Sequence, residues 1–170
     1  MLERATKIRL AIFDVDGVMT DGRLYLSDSG EETKAFDTKD GHGMKMLNAS
    51  GVEIAIITGR TSRCVELRAE NLGISLLYQG ASDKLAVYGQ LLESLGLEPE
   101  QTAYMGDDLV DLPVLTRCGL AFAVPDAPDI VREHAHYVTR RQGGRGAVRE
   151  ACEFLMRMQG TYERQLAAYL

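Results

Sequence analysis

Ile12-Phe13-Asp14-Val15-Asp16-Gly17-Val18-Met19-Thr20-Asp21-Gly22 decides how the rest of the chain is read. It follows an apolar run at 8–13 that reads as a short buried strand. The apolar residues then give way to two carboxylates at i and i+2, which in an extended chain point to the same face. Core packing asks for no such pair, because like charges at the end of a buried strand repel each other and are costly to desolvate. They make sense with a divalent cation between them and a substrate, and Gly17 lets the chain turn sharply away. Taken alone, an Asp-Val-Asp triplet is more often a solvated strand end. The remaining sequence tips the balance.

Outward from this stretch, strand-like and helix-like segments alternate. A β-hairpin is expected at about 22–37, where two short strand-like runs flank Ser27-Asp28-Ser29-Gly30. A polar loop, Asp37 to Gly41, leads into a helix over 41–49. A buried strand over 52–57 ends at Thr58-Gly59-Arg60, and a helix follows directly to about 72. A third strand is expected at 75–78, then a helix over 83–95 capped by Ser82. A fourth strand at 102–105 ends at Gly106-Asp107-Asp108. A short helix over 109–116, a strand at 119–124, a helical turn at 128–134 and a small strand at 137–139 follow. A basic glycine-rich loop at 140–146 precedes an amphipathic helix over 147–158 and a loose tail, so that the C-terminal helix and tail span about 147–170.

This alternation predicts an α/β fold of the Rossmann type: a parallel sheet with helices on both faces, right-handed crossovers and a hairpin flap after the first strand. Such sheets gather ligands at the carboxyl ends of their strands. Asp14/Asp16, Thr58/Arg60 and Asp107/Asp108 all fall there. One such cluster could be accidental; three strand ends of one sheet make a site.

With 170 residues the chain is expected to form one domain, 1–170. Its net charge of −6 argues against nucleic acid or an anionic membrane as main partners, and no apolar run approaches the ~18 residues of a membrane span. Cys64, Cys118 and Cys152 are widely spaced and form no CxxC pair, so they read as reduced structural thiols. The first nine residues lack the apolar core of a secretion signal, and a cytoplasmic location is expected. His42, His134 and His136 have no usable metal-ligand spacing and read as structural. The seven methionines read mostly as core filling.

The set Asp14-Val15-Asp16-Gly17, Thr58-Gly59-Arg60, a helix-borne Lys84 and Gly106-Asp107-Asp108-Leu109-Val110-Asp111 resembles, in order, the four motifs of the haloacid dehalogenase superfamily. The hairpin, residues 34–47, the Leu77-Tyr78-Gln79-Gly80-Ala81-Ser82-Asp83-Lys84 stretch and Gly143-Gly144-Arg145-Gly146 extend the resemblance to one branch, over about residues 7–159. That branch comprises the phosphatases of 3-deoxy-D-manno-octulosonate 8-phosphate, used in lipopolysaccharide precursor synthesis. The resemblance implies a Mg²⁺-dependent hydrolase with Asp14 as nucleophile, forming an aspartyl-phosphate. It implies Asp16 as general acid and base, Thr58 and Lys84 as phosphoryl-stabilising groups, and Asp14, Asp107 and the Asp16 backbone carbonyl as metal ligands. It further implies substrate contacts from Asp16, Asp37, Thr38, Lys39, Asp40, Gly41, Lys45, Gly59, Arg60, Arg68 and Lys84, and a homotetramer. Asp108 is expected to cap the next helix, and Asp111 to hold metal-bound water.

No cap domain fits between Asp21 and Thr58 or between Thr58 and Lys84. The hairpin, with Leu24, Tyr25, Leu26 and Phe36, carries more apolar surface than a monomer's flap needs, which predicts packing against other copies. Four arginines in 140–149 on an acidic protein are either a solvated basic loop or a segment that completes a substrate site through Arg145. Two other functions stay open at this point: a phosphatase of a nine-carbon sugar acid 9-phosphate, and a non-catalytic regulatory module that keeps the fold. A phosphomutase fits less well, since mutases usually need a cap.

Overall fold

The structure is a computed structural model describing residues 1–170. A short helix, α1 (Leu2–Ala5), precedes β1 (Leu10–Phe13). The hairpin is β2 (Tyr25–Leu26) and β3 (Glu32–Thr33), paired antiparallel and apart from the main sheet. Then come α2 (Thr38–Ala49), β4 (Glu53–Ile57), α3 (Arg63–Leu72), β5 (Leu76–Tyr78), α4 (Lys84–Leu95) and β6 (Thr102–Gly106). A 3-10 turn at Leu109–Asp111 runs into α5 (Leu112–Leu115), followed by β7 (Leu120–Ala123), α6 (Asp129–His134), β8 (Tyr137–Val138), α7 (Ala147–Met158) and α8 (Tyr162–Leu166).

The main sheet has six strands in the order β5-β4-β1-β6-β7-β8, and every neighbouring pair is parallel. Leu10, Ala11, Ile12 and Phe13 are all buried, as a central strand covered on both faces requires. The chain leaves β1 towards β4 on one side and returns to β6 on the other. β1 and β6 therefore flank the topological switch point, where ligands bind in open α/β sheets. Met105 lies beside Phe13 in the register, and the Asp14 N–H donates to the Met105 carbonyl at 3.0 Å. The Asp14–Asp16 and Gly106–Asp108 segments thus emerge side by side. Between β1 and β4 the chain holds only the hairpin and α2, and between β4 and α4 only α3 and β5, so nothing covers the strand ends as a cap would.

Several local expectations need correction. α2 begins at Thr38 rather than Gly41, because the Asp37 carboxylate accepts from the Lys39 and Asp40 N–H groups as an N-cap. The expected polar loop is the helix's first turn. Its run of polar residues masked it, and at Gly41 the reason for glycine is contact: a Cβ there would lie 2.2 Å from Arg68 Nη2 on α3. α3 starts at Arg63, so Thr61 and Ser62 separate it from Thr58-Gly59-Arg60 rather than the helix following directly. Asp83, not Ser82, caps α4 by accepting from Ala86 N–H. The expected helix over 109–116 is a 3-10 turn followed by four α-helical residues.

The C-terminal segment is not a loose tail. Gln159 donates to the Ala5 and Ile8 carbonyls, Arg157 stacks 3.7 Å from the Tyr162 ring centroid, and Tyr169 sets its ring edgewise against His42. These long-range partners leave no local pattern in the sequence. His136 is structural, its Nδ1 accepting from the Ala121 N–H.

Candidate active site

At the switch point four side chains from three segments converge. Lys84, the first residue of α4, donates to Asp14 Oδ2 at 2.6 Å and to Asp111 Oδ1 at 2.7 Å. Asp14 Oδ1 accepts from the Val15 N–H at 2.7 Å. Asp111 Oδ1 also accepts from the Tyr104 hydroxyl, and its Oδ2 accepts from the Asp107 and Asp108 N–H groups. Lys84 at the positive end of a helix is locally unfavourable; the two buried carboxylates it touches account for its place.

Carboxylate oxygens of Asp14, Asp107 and Asp111 lie within 4.8 Å of one another. Burial, then the charge of Asp111, pushes Asp14 up to about 6, against the opposing pull of Lys84. Burial, then the charges of Asp14 and Asp111, pushes Asp107 up to about 8. Burial works to lower the Lys84 ammonium, but the carboxylates of Asp14 and Asp111 more than offset it and keep the group charged. Tyr104 is held well above the ordinary phenol value by burial and by Asp111, so it remains a donor.

This donor set fits a hard divalent cation. The oxygens are carboxylate, and the half-buried Asp107 lies beside Asp14 and Asp111 with no side-chain cation paired to it. Gly17, at φ +84°, leaves the room Asp107 takes up: a Cβ there would lie 1.9 Å from Asp107 Oδ2. Asp14 and Asp107 have the capacity to hold the ion. Asp111 was expected to hold metal-bound water, but its oxygens are already taken by four donors, and it is a scaffold for Lys84 and the 107–108 backbone. The Asp16 side chain is outside this cluster, turned towards Lys34, with Arg60 Nε 3.8 Å from its other oxygen. Asp108 caps the 3-10 turn as expected, accepting from the Leu109 N–H.

Asp14, Asp16, Thr58, Gly59, Arg60, Lys84 and Asp107 line one cavity of about 360 Å³. The Thr58 N–H continues the sheet ladder, donating to the Tyr78 carbonyl at 2.9 Å. The Thr58 hydroxyl and the Gly59 N–H are left for an oxyanion.

The other expected substrate contacts are not brought to this cavity within one chain. Asp40 is buried and accepts from the Gly146 and Arg149 N–H groups, serving the start of α7. Arg68 donates to the Asp37 carbonyl and stacks 5.7 Å from the Phe36 centroid. Gly41 is packed against Arg68, and Thr38 and Lys45 are exposed on α2. Asp37, Lys39 and Arg145 line a separate, arginine-rich cavity of about 600 Å³ with Arg140, Arg141 and Arg149. The glycine-rich loop nevertheless reaches the catalytic turn by its backbone: Gly144 N–H donates to the Val18 carbonyl, and a Cβ on Gly143 would sit 1.8 Å from the Gly17 oxygen.

Lys34, Glu32 and Tyr104 were not anticipated. Glu32, Lys34 and Phe36 alternate with the exposed Thr33 and Ala35, and that period of two marks an inward face. Tyr104 reads as plain core until Asp111 is seen beside it.

Fold and site together define a haloacid dehalogenase-like hydrolase. A family profile of that description matches residues 77–150. The 3-deoxy-D-manno-octulosonate 8-phosphate phosphatase of Yersinia pestis is 52% identical over 163 residues, covering 96% of this chain and 87% of that protein. The structure of the Moraxella catarrhalis phosphatase of the same name, in complex with magnesium ion, phosphate ion and a KDO molecule, superposes with a TM-score of 0.97 at 41% identity, covering 99% of this chain and 97% of that one. A cobalt-bound Haemophilus influenzae counterpart gives a TM-score of 0.90 at 40% identity, covering 94% and 93%. The chain belongs to the 3-deoxy-D-manno-octulosonate 8-phosphate phosphatase family of haloacid dehalogenase-like hydrolases.

The raised Asp14 and Asp107 groups make metal binding a proton-releasing event. Their values in the folded chain lie above the ordinary carboxylate value, so without metal the fold loses stability as pH rises from about 4 to about 8. Mg²⁺ needs both groups ionised and is expected to bind more tightly as pH rises through about 6 to 8. Calorimetric titration with Mg²⁺ at pH 6.5 in buffers of different ionisation enthalpy should show proton release; a heat independent of buffer would contradict the assignment.

Proposed function

We propose that the chain is a Mg²⁺-dependent phosphatase that hydrolyses 3-deoxy-D-manno-octulosonate 8-phosphate to the free sugar acid and phosphate. The observation that carries this reading is the Asp14 carboxylate, buried at the switch point and ion-paired to Lys84, in a family whose named members have that activity. Asp14 attacks phosphorus and forms an aspartyl-phosphate as the bond from phosphorus to the sugar oxygen breaks. Asp16 gives its proton to the departing sugar oxygen, then takes one from the water that attacks the aspartyl-phosphate. Lys84, charged throughout, balances negative charge on Asp14 and the phosphoryl oxygens. The Thr58 hydroxyl and Gly59 N–H hold a phosphoryl oxygen. Mg²⁺ held by Asp14, Asp107 and the Asp16 carbonyl would neutralise the repulsion between carboxylate and phosphate.

The sugar acid's carboxylate needs cations, and Arg60 lines the cavity to supply one. The remaining expected contacts, Arg68, Lys39, Lys45 and Arg145 among them, lie where a neighbouring copy could meet them. The outer hairpin face supports such an assembly, since Leu24, Tyr25 and Leu26 are exposed together. We infer a homotetramer in which neighbours close the capless sites. No helix is long and apolar enough to cross a membrane, which is consistent with the cytoplasmic setting we infer.

Phosphate release from a panel of sugar acid phosphates, with and without Mg²⁺, tests the function. Mg²⁺-dependent turnover greatest on the eight-carbon 8-phosphate is expected, and Asp16→Asn should lower that turnover by about 10²-fold or more while still binding substrate. Preference for a nine-carbon 9-phosphate would reassign the substrate, and inactivity on every phosphate monoester would favour a non-catalytic module. Leu26→Asp, which puts a charge on the exposed apolar face, should break the assembly into smaller species in light scattering after size exclusion. An unchanged mass would remove the hairpin from the interface.

A further inference from the structure

The inward face of the hairpin carries a lysine that neither core packing nor solvation explains. Lys34 lies just beyond β3, on a hairpin with exposed Thr33 and Ala35, yet its side chain is 2% exposed. Its ammonium is ion-paired to Asp16 Oδ1 and to Glu32 Oε1, the latter at 2.7 Å. Glu32 Oε2 takes Arg60 Nη2 at 2.6 Å, and Arg60 Nε lies 3.8 Å from Asp16 Oδ2. Asp16, Lys34, Glu32 and Arg60 therefore form a closed ring of alternating charge. It joins the turn after β1, the hairpin and the loop after β4.

The way Asp16 is held differs from its neighbours. Asp14 is oriented by the Val15 N–H and Lys84, and Asp111 by four donors. No N–H of the turn after β1 reaches the Asp16 carboxylate; the Gly17 N–H goes to Thr20 Oγ1 instead. The carboxylate's only cationic partners are Lys34 and Arg60.

We propose that Lys34 is a positioning residue for the reaction: from the hairpin it fixes the direction of the Asp16 carboxylate, so that the seating of the flap sets the geometry of proton transfer to the leaving oxygen. The inference rests on the phosphatase reading above. Proton transfer needs the acid within roughly 2.6–3.2 Å of the oxygen it protonates. A displacement of about 1 Å can cost on the order of 10²-fold in rate. Glu32 holds Lys34 from behind, and Arg60 ties Glu32 to the floor of the site.

A lysine that merely pinned the hairpin would, when removed, slow every substrate alike. A lysine that aims the acid has an effect that depends on the leaving group. The test compares kcat/KM for an unactivated alkyl phosphate, the eight-carbon sugar acid phosphate, with that for p-nitrophenyl phosphate, whose phenolate leaves without a proton. Lys34→Met should lose about 10²-fold on the sugar phosphate and less than about threefold on the aryl phosphate. Lys34→Arg should recover most of the loss. Glu32→Gln opens the ring with Lys34 in place and should show the same leaving-group dependence with a smaller loss, which keeps the test decisive if Lys34→Met folds poorly. Equal losses on both substrates in the folded variants, or wild-type values in Lys34→Met, would overturn the proposal. A wild-type protein inert on the sugar acid phosphate would overturn the functional reading instead, and the leaving-group contrast would then be read on any alkyl phosphate it does hydrolyse.

Discussion

Three carboxylates and one ammonium share a buried point at the switch between β1 and β6, and the surrounding structure is arranged to tolerate it. Lys84 answers two of the charges, and Tyr104 and two backbone N–H groups hold Asp111 in place. Asp107 is half-buried beside Asp14 with no side-chain cation paired to it. Removing one partner of such a buried pair typically costs about 3–5 kcal/mol, because an uncompensated charge stays behind. The arrangement is therefore poor as a stability device and sensible as a site for a divalent ion. Gly17 belongs to the same constraint, since Asp107 fills the space a side chain there would need.

The absence of a cap shifts work onto the hairpin. Its outer face is apolar and exposed, while its inner face carries Glu32 and Lys34 to the turn after β1. One short element thus has an exposed apolar outer face and an inner face turned towards Asp16. The glycine-rich loop before α7 makes a second link, touching the backbone of the same turn while its arginines face a different cavity. Asp40 anchors that loop by holding the Gly146 and Arg149 N–H groups.

The parallel sheet, the hairpin and the convergence of Asp14, Asp16, Thr58, Arg60, Lys84 and Asp107 were legible because each depends on local pattern: apolar runs, turn residues and the chemistry at strand ends. What escaped depends on partners distant in sequence. Asp40 was named as a substrate contact through the family resemblance alone, and nothing local announced its structural partner, which lies more than a hundred residues away on α7. Asp111 was assigned a metal-bound water because its spacing on a helix allowed it; Tyr104 and Lys84, which occupy it, come from other elements. The start of α2 was misplaced because Asp37, Thr38, Lys39 and Asp40 are all polar and read as a loop, whereas Asp37 is the N-cap and the next three residues form the first turn. Lys34 carried a readable signal in the alternation of β3, but the hairpin was read only for its apolar residues.

The covalent role of Asp14 is the point on which the account turns. Rapid acid quench of wild-type protein during turnover of the sugar acid phosphate with Mg²⁺, followed by peptide mass spectrometry, measures it directly. The account predicts one phosphoryl group on the peptide containing Asp14, absent when substrate is omitted. A phosphoryl group on a different residue, or none while phosphate is being released, would contradict it.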